Sequence, residues 1–152
     1  MDAQELLDKV CVAMEPAAKE KDIAIEVEAQ ADTLTGDTDL LFSLFTNLTD
    51  NAIKASPEHT VIRLTASREE NQQLLSVIDQ GSGIPADKIA LVTEPFYRVD
   101  KARSRKLGGA GLGLSLCQTI AQAHGGRLEI QSEVGKGTTI SMIWPGEKKV
   151  NE

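Results

Sequence analysis

Glycines crowd one stretch of this 152-residue chain: in G108-G-A-G-L-G-L114 they stand at 108, 109, 111 and 113, directly ahead of a helical pattern. Glycines at that density cost backbone entropy, so either something approaches the backbone closely or the chain bends there. A phosphate at a helix N-terminus meets the first condition, because unpaired N–H groups and the helix dipole converge on it. A hinge meets the second. Just upstream, KARSRK puts Lys101, Arg103, Arg105 and Lys106 into six residues. A basic run is ordinarily a solvated loop, but beside a phosphate site its charges have a use.

Further stretches carry residue types that ask for a reason. In N47-L-T-D-N51-A-I-K54, Asn47 and Asn51 are one helical turn apart and Lys54 continues the line. On a helical wheel this line lies about a quarter-turn from the centre of the apolar stripe, at the edge of the core, where a groove could open. A solvated flank is the plain alternative, but asparagine is a weak helix former. D79-Q-G81-S-G83-I84 follows an apolar strand pattern and alone is merely a turn. E94-P-F96-Y97-R98 precedes the basic run, and G135-K-G137-T138 lies between two strand patterns.

Two familiar phosphate motifs are excluded. A P-loop around Lys136 would need Gly at position 130 and Ser or Thr at 137, where Ile130 and Gly137 stand. Residues 81–86 formally fit a dinucleotide-binding glycine pattern, but Pro85 suits that turn badly and the strand–helix context is missing.

The elements that must position these stretches follow from periodicity. Leu6, Leu7, Val10, Cys11 and Met14 predict a helix over 3–15 that stops near Pro16. Alternation in IAIEVEA predicts a half-exposed strand over 23–29. Asp37 is a credible N-cap for a long helix to about Ser56, with Leu40, Leu41, Leu44, Phe45, Leu48 and Ala52 as its buried stripe. Strands are expected at 60–68 and 72–79, a short helix near 86–92, and a helix from about Leu112 to His124 stopped by Gly125. Two last strands, 127–134 and 138–145, are joined by GKG. Short turns between strands imply antiparallel pairing, and so few helices cover only one face. The pattern predicts an α+β two-layer sandwich with one mixed, mostly antiparallel sheet.

Composition narrows the class. The chain is long enough for one domain with a core of its own, at 41% hydrophobic and 26% charged residues with five aromatics. No stretch approaches the length of a membrane span, and Met1 leads straight into polar sequence, which predicts no signal peptide. A formal net charge of −7 argues against nucleic-acid binding. Cys11 and Cys117 lie in apolar helical patterns without a CxxC, which favours reduced core thiols in a cytosolic setting.

Taken together and in this order, the stretches resemble the catalytic and ATP-binding domain of sensor histidine kinases. NLTDNAIKAS resembles that family's N box, DQGSGI its first glycine box, EPFYR its F box, GGAGLGL its second glycine box, and GKGT its last short box. The resemblance spans residues 1–146 and leaves 147–152 as a tail. It implies the Bergerat sandwich shared with gyrase, Hsp90 and MutL, in agreement with the element order.

The resemblance also implies roles. Asp79 would accept a hydrogen bond from the adenine amino group, with Gly81, Gly83 and Ile84 where the base enters. Asn51 would give Mg²⁺ an oxygen, and Lys54, Arg98, Lys101 and Arg103 would balance triphosphate charge. Segment 94–110 would be the ATP lid, with Phe96 and Tyr97 in it. Gly109, Gly111, Leu112, Gly113, Leu114 and Thr138 would complete the nucleotide site. Asn47 stands where the related ATPases carry a glutamate base, which favours transfer to a histidine over hydrolysis. Asn47, Lys54 and Arg98 are the residues expected to serve catalysis.

Two positions depart from the family pattern: Ala55 replaces a usual aromatic or histidine, and Ala110 a usual Thr or Ser. Neither His59 nor His124 suits a phospho-acceptor, so both are expected to be structural, and the acceptor would lie on dimerisation helices outside this chain. A response regulator would be the next partner, the isolated domain a monomer, and the setting cytoplasmic. The competing readings are a related ATPase or anti-sigma-type serine kinase of the same fold, or a degenerate nucleotide-binding interaction module.

Overall fold

The apolar periodicities become three helices and five strands in a computed structural model that describes residues 1–30, 32–83 and 113–145. In chain order these are α1 (Ala3–Glu20), β1 (Ala24–Ala29), α2 (Thr38–Ala55), β2 (Val61–Glu69), β3 (Gln72–Ile78), α3 (Gly113–Ala123), β4 (Arg127–Glu133) and β5 (Gly137–Trp144). The strands form one sheet in the order β1-β2-β3-β5-β4. β1 runs parallel to β2, and the other pairs are antiparallel. This is the expected two-layer α+β architecture with a mixed sheet.

Strand alternation divides the sheet's faces. Ile62, Leu64 and Ala66 of β2, Leu75 and Val77 of β3, and Ile140, Met142 and Trp144 of β5 join the core. The helices meet them with Leu6, Leu7 and Val10 from α1, Leu41, Leu44, Phe45 and Leu48 from α2, and Cys117, Ile120 and Ala121 from α3. Asp37 caps α2 as expected, its side chain accepting from the Leu40 amide at 3.0 Å. Helices α1 and α3 both end in Schellman turns. Ile23 N–H donates to Ala18 O and Asp22 N–H to Lys19 O, while Gly126 N–H donates to Ala121 O and Gly125 N–H to Gln122 O.

Two expectations about the helices are corrected. Helix α1 does not stop at Pro16 but runs through it to Glu20. Pro16 and Val12 are both exposed, so water can satisfy the Val12 carbonyl that proline leaves without a donor. Ala18, 1% exposed, rewards the extra turn with burial. Leu40 is no part of the buried stripe and stands 44% exposed. It lies about 100° round the helix from Leu41, while Thr49 and Ile53 on the opposite flank are buried instead.

Candidate functional site

Strand β3 ends at Ile78, and the next residue, Asp79, is held from both ends of its backbone and side chain. Its amide donates to Thr138 O at 2.9 Å, and the Thr138 amide donates to Asp79 Oδ1 at 3.0 Å. The Gly81 amide donates to the same Oδ1 at 2.8 Å. Among the described residues Oδ2 accepts no hydrogen bond. Asp79 is 9% exposed, and burial lifts its carboxyl above the ordinary 3.8 although the two amides pull it down. The result is a carboxyl held through one oxygen only, among the described residues.

Gly81 places this strand end against α2. A Cβ on Gly81 would stand 2.6 Å from the Ala55 carbonyl oxygen, so only glycine permits the approach. Gln80 fastens the same segment on its other side, its Oε1 accepting from the Val61 amide at 2.9 Å. Asn47, Asn51 and Lys54 are half-buried on α2, at the edge of the core where the wheel puts them. Lys54 Nζ pairs with Asp50 at 2.9 Å, a neighbour one turn back.

The tip of the β4–β5 hairpin supports Asp79 from below. Gly137, at φ +106, lies so close to Asp79 O that no side chain fits between them. Gly135 N–H donates to Ser82 O at 2.8 Å, and Gly83 lies against the Glu133 carbonyl. Thr138 is 8% exposed, and its hydroxyl pairs with Ser132 Oγ at 2.8 Å. Its backbone therefore positions Asp79 while its side chain is engaged within the hairpin. Gly113 is the first residue of α3, and Leu114 packs against the core.

Ile84, Phe96, Tyr97, Arg98, Lys101, Arg103, Gly109, Gly111 and Leu112 lie outside the described residues, as do the short helix expected near 86–92 and the tail 147–152. Periodicity and motif give no role to Ser132, and Gly137 and Gln80 lie in quoted motif stretches without a role of their own. Gly137 sits inside the GKGT stretch and its role needed the pairing of β5 with β3. Ser132 and Gln80 carry no signal that a sequence alone would give.

The two histidines tie distant segments of the chain together. His59, at φ +66, stands two residues before β2 with Nδ1 against Asp22. His124 joins α3 to the start of α2: Nε2 accepts from the Asp37 amide at 3.0 Å and Nδ1 donates to Ile120 O at 2.8 Å. Both thiols are free, Cys117 buried and Cys11 half-buried. Among the described residues no helix is long and apolar enough to cross a membrane.

Comparison with known proteins agrees with this geometry. Residues 36–148 match the family described as histidine kinase-, DNA gyrase B-, and HSP90-like ATPases. The chain is 45% identical over 111 residues to sensor histidine kinase WalK of Bacillus subtilis (strain 168), covering 72% of this chain and 18% of WalK. It thus spans under a fifth of that relative's length. Its structure resembles the mycobacterial sensor histidine kinase MprB, with a TM-score of 0.80, 28% identity, and 98% and 97% of the two chains covered. It also resembles full-length ShkA solved in complex with AMPPNP, with a TM-score of 0.84, 30% identity, and 98% of this chain and 31% of that chain covered. With the strand-end carboxylate and the glycine contacts that seat it against the end of α2, the chain belongs to the histidine kinase-, DNA gyrase B- and HSP90-like ATPase family, as an ATP-binding catalytic domain of the sensor histidine kinase kind.

Proposed function

We propose that the domain binds Mg-ATP where the last turns of α2 meet the end of β3, and passes the γ-phosphoryl group to a histidine on a separate dimerisation domain. The observation that carries this reading is Asp79: Oδ1 is fixed by two amides while Oδ2 takes no donor from the described residues. The adenine 6-amino group is such a donor. Guanine presents a carbonyl there, and two acceptors facing each other repel, so the site selects adenine.

Asn47 supports transfer over hydrolysis, since an amide cannot take a proton from water. A neutral imidazole needs no such base. Its unprotonated nitrogen forms the bond to the γ-phosphorus as the bond to the ADP oxygen breaks, ADP leaves with the electron pair, and the other ring nitrogen gives up its proton to water. Positioning and charge stabilisation do the rest. Lys54 contributes charge from α2, and Arg98, Lys101 and Arg103 from the segment 94–110, which we assign as the lid. Phe96, Tyr97, Ile84, Gly109, Gly111, Leu112, Gly113 and Leu114 are assigned to contacts with the nucleotide.

Among the described residues no cluster of three or more acidic, histidine or cysteine side chains could hold a metal. Asn51, half-buried on α2, would offer an amide oxygen to a hard cation whose remaining ligands are phosphate oxygens and water. Mg²⁺ bound there would offset triphosphate charge. The domain is assigned to residues 1–146 of a cytoplasmic region in a longer kinase, monomeric alone. Its partners would be the kinase's own dimerisation helices and a response regulator receiver domain, with no role for nucleic acid.

Calorimetric titration with ATP and with GTP, both with Mg²⁺, tests the site. A supplied dimerisation-helix fragment from a kinase of this family tests the transfer. ATP should bind in preference to GTP and label should move from γ-labelled ATP to the fragment. Equal affinity for the two nucleotides, or robust ATP hydrolysis with no acceptor present, would overturn the reading.

A further inference from the structure

Helix α2 ends differently from its neighbours. Helices α1 and α3 satisfy their last carbonyls with Schellman turns, but α2 passes at Ser56 directly into extended backbone, with φ −92 and ψ 143. Its final carbonyls therefore need partners from elsewhere. Ser56 supplies two of them: its hydroxyl donates to Ala52 O at 2.7 Å and its amide to Ile53 O at 3.3 Å. Further donors come from the end of α1. The Lys21 ammonium donates to Ile53 O at 2.9 Å and to Ser56 O at 2.5 Å, with Lys54 O at 3.5 Å. An ammonium has three donors, and here three carbonyls of one turn face them. A cation at this end also complements the α2 dipole.

The backbone around Lys21 is built to aim it. Lys21 is the C-cap of α1, and Asp22 after it sits at φ +55, a conformation uncommon outside glycine. Asp22 in turn grips the loop beyond α2: its carbonyl accepts from the His59 amide at 3.2 Å and its carboxylate faces His59 Nδ1. Lys21 and Asp22 thus clasp both sides of the turn 53–59. That turn holds Lys54 and the Ala55 carbonyl against which Gly81 rests.

We infer that Lys21 is a positioning residue for nucleotide binding, acting as the C-cap of α2 from another helix and fixing the Lys54–Ala55 turn against Gly81 and Asp79. It does not touch the nucleotide. The inference rests on the reading of this junction as the nucleotide site, so two measurements are made on the 152-residue chain.

The first is ATP affinity, at a temperature where circular dichroism shows each variant folded. Lys21→Met should weaken binding about tenfold and Lys21→Arg should recover most of it. Arg68→Met, which breaks the 2.9 Å ion pair with Asp32 away from this turn, should melt lower and bind ATP unchanged. That control separates positioning from loss of stability. If Lys21→Met does not fold, Lys21→Gln, which keeps a donor and loses the charge, carries the same comparison. Unchanged affinity in the folded variant overturns the inference.

The second is amide hydrogen exchange. The Ser56 and Gly81 amides should exchange about tenfold faster in Lys21→Met, while amides at the β2–β3 centre keep their protection. Unchanged exchange at both amides overturns the inference even if the parent protein binds no ATP. Absence of ATP binding by the parent counts against the functional reading alone.

Discussion

Replacing Asp79 by asparagine separates what the carboxylate does for the fold from what it does for a nucleotide. Its Oδ1 accepts from Gly81 N–H at 2.8 Å and Thr138 N–H at 3.0 Å. Asparagine can keep both bonds, because its amide oxygen accepts equally two donors. It exchanges Oδ2 for an NH₂ group, which meets the adenine amino group donor to donor. Loss of a hydrogen bond to a charged acceptor is worth about 1.5–3 kcal/mol, so ATP affinity should fall about ten- to a hundredfold.

Stability should move the other way. Burial raises the folded carboxyl above 3.8, so the folded chain holds the Asp79 proton more tightly than the unfolded chain. Below pH 3.8 both states are protonated and Asp79 carries no penalty. As pH rises through the raised folded value the penalty develops, and above it the penalty is constant. Asp79→Asn does not titrate there, so its stability relative to the parent should grow across that window and then level off. Asp79→Ala instead leaves two buried amides without acceptors, at a cost of about 1–3 kcal/mol each. The assay is paired calorimetry with ATP and thermal melting at acid and neutral pH. Parental ATP affinity in Asp79→Asn would refute the adenine contact. A melting temperature as low as that of Asp79→Ala would refute the view that the amides need only an oxygen.

Gly81→Ala should weaken ATP binding and cost about 1–3 kcal/mol of stability, since its Cβ would press on the Ala55 carbonyl backbone at 2.6 Å; calorimetry and denaturant titration read both. Asn47→Glu should raise acceptor-independent ATP hydrolysis at least about tenfold, measured by phosphate release, because it restores a general base. His124→Ala leaves the Asp37 amide and the Ile120 carbonyl without the imidazole; thermal melting should fall by several degrees, with ATP affinity kept while folded. The Cys117 thiol, 0% exposed and pushed up to about 12, should react with a disulfide reagent only as the chain unfolds, whereas half-buried Cys11 should react sooner.

Most of the frame was legible because periodicity reports burial directly. The stripe of α2, the alternation of β1 and the glycine stop after His124 each encode one local rule, and each element appears where that rule puts it. Pro16 and Leu40 were misread because the local rule was too coarse. An exposed proline need not end a helix, and an apolar residue beside a stripe need not join it. In the candidate site, Asn47, Asn51 and Lys54 stand out by type and spacing, and Asp79 through the family resemblance of the stretch it opens. Lys21 does not, because a lysine at a helix end is ordinary until the fold brings α2's unpartnered carbonyls to it. Gly137 was visible only as a member of the GKGT stretch, since its contact with Asp79 O depends on which strands become neighbours.

That neighbour relation has a consequence for how the protein is made. Asp79 and Thr138 are 59 residues apart, and β5, later in the chain than β4, lies between β3 and β4 in the sheet. The carboxylate has only its local Gly81 anchor until β5 has inserted beside β3, a long-range closure of the kind that slows folding. A chain still emerging from the ribosome therefore has α2 and its asparagines before Asp79 has its Thr138 anchor. On the reading proposed above, adenine binding waits for β5, and bound nucleotide would hold that strand beside β3.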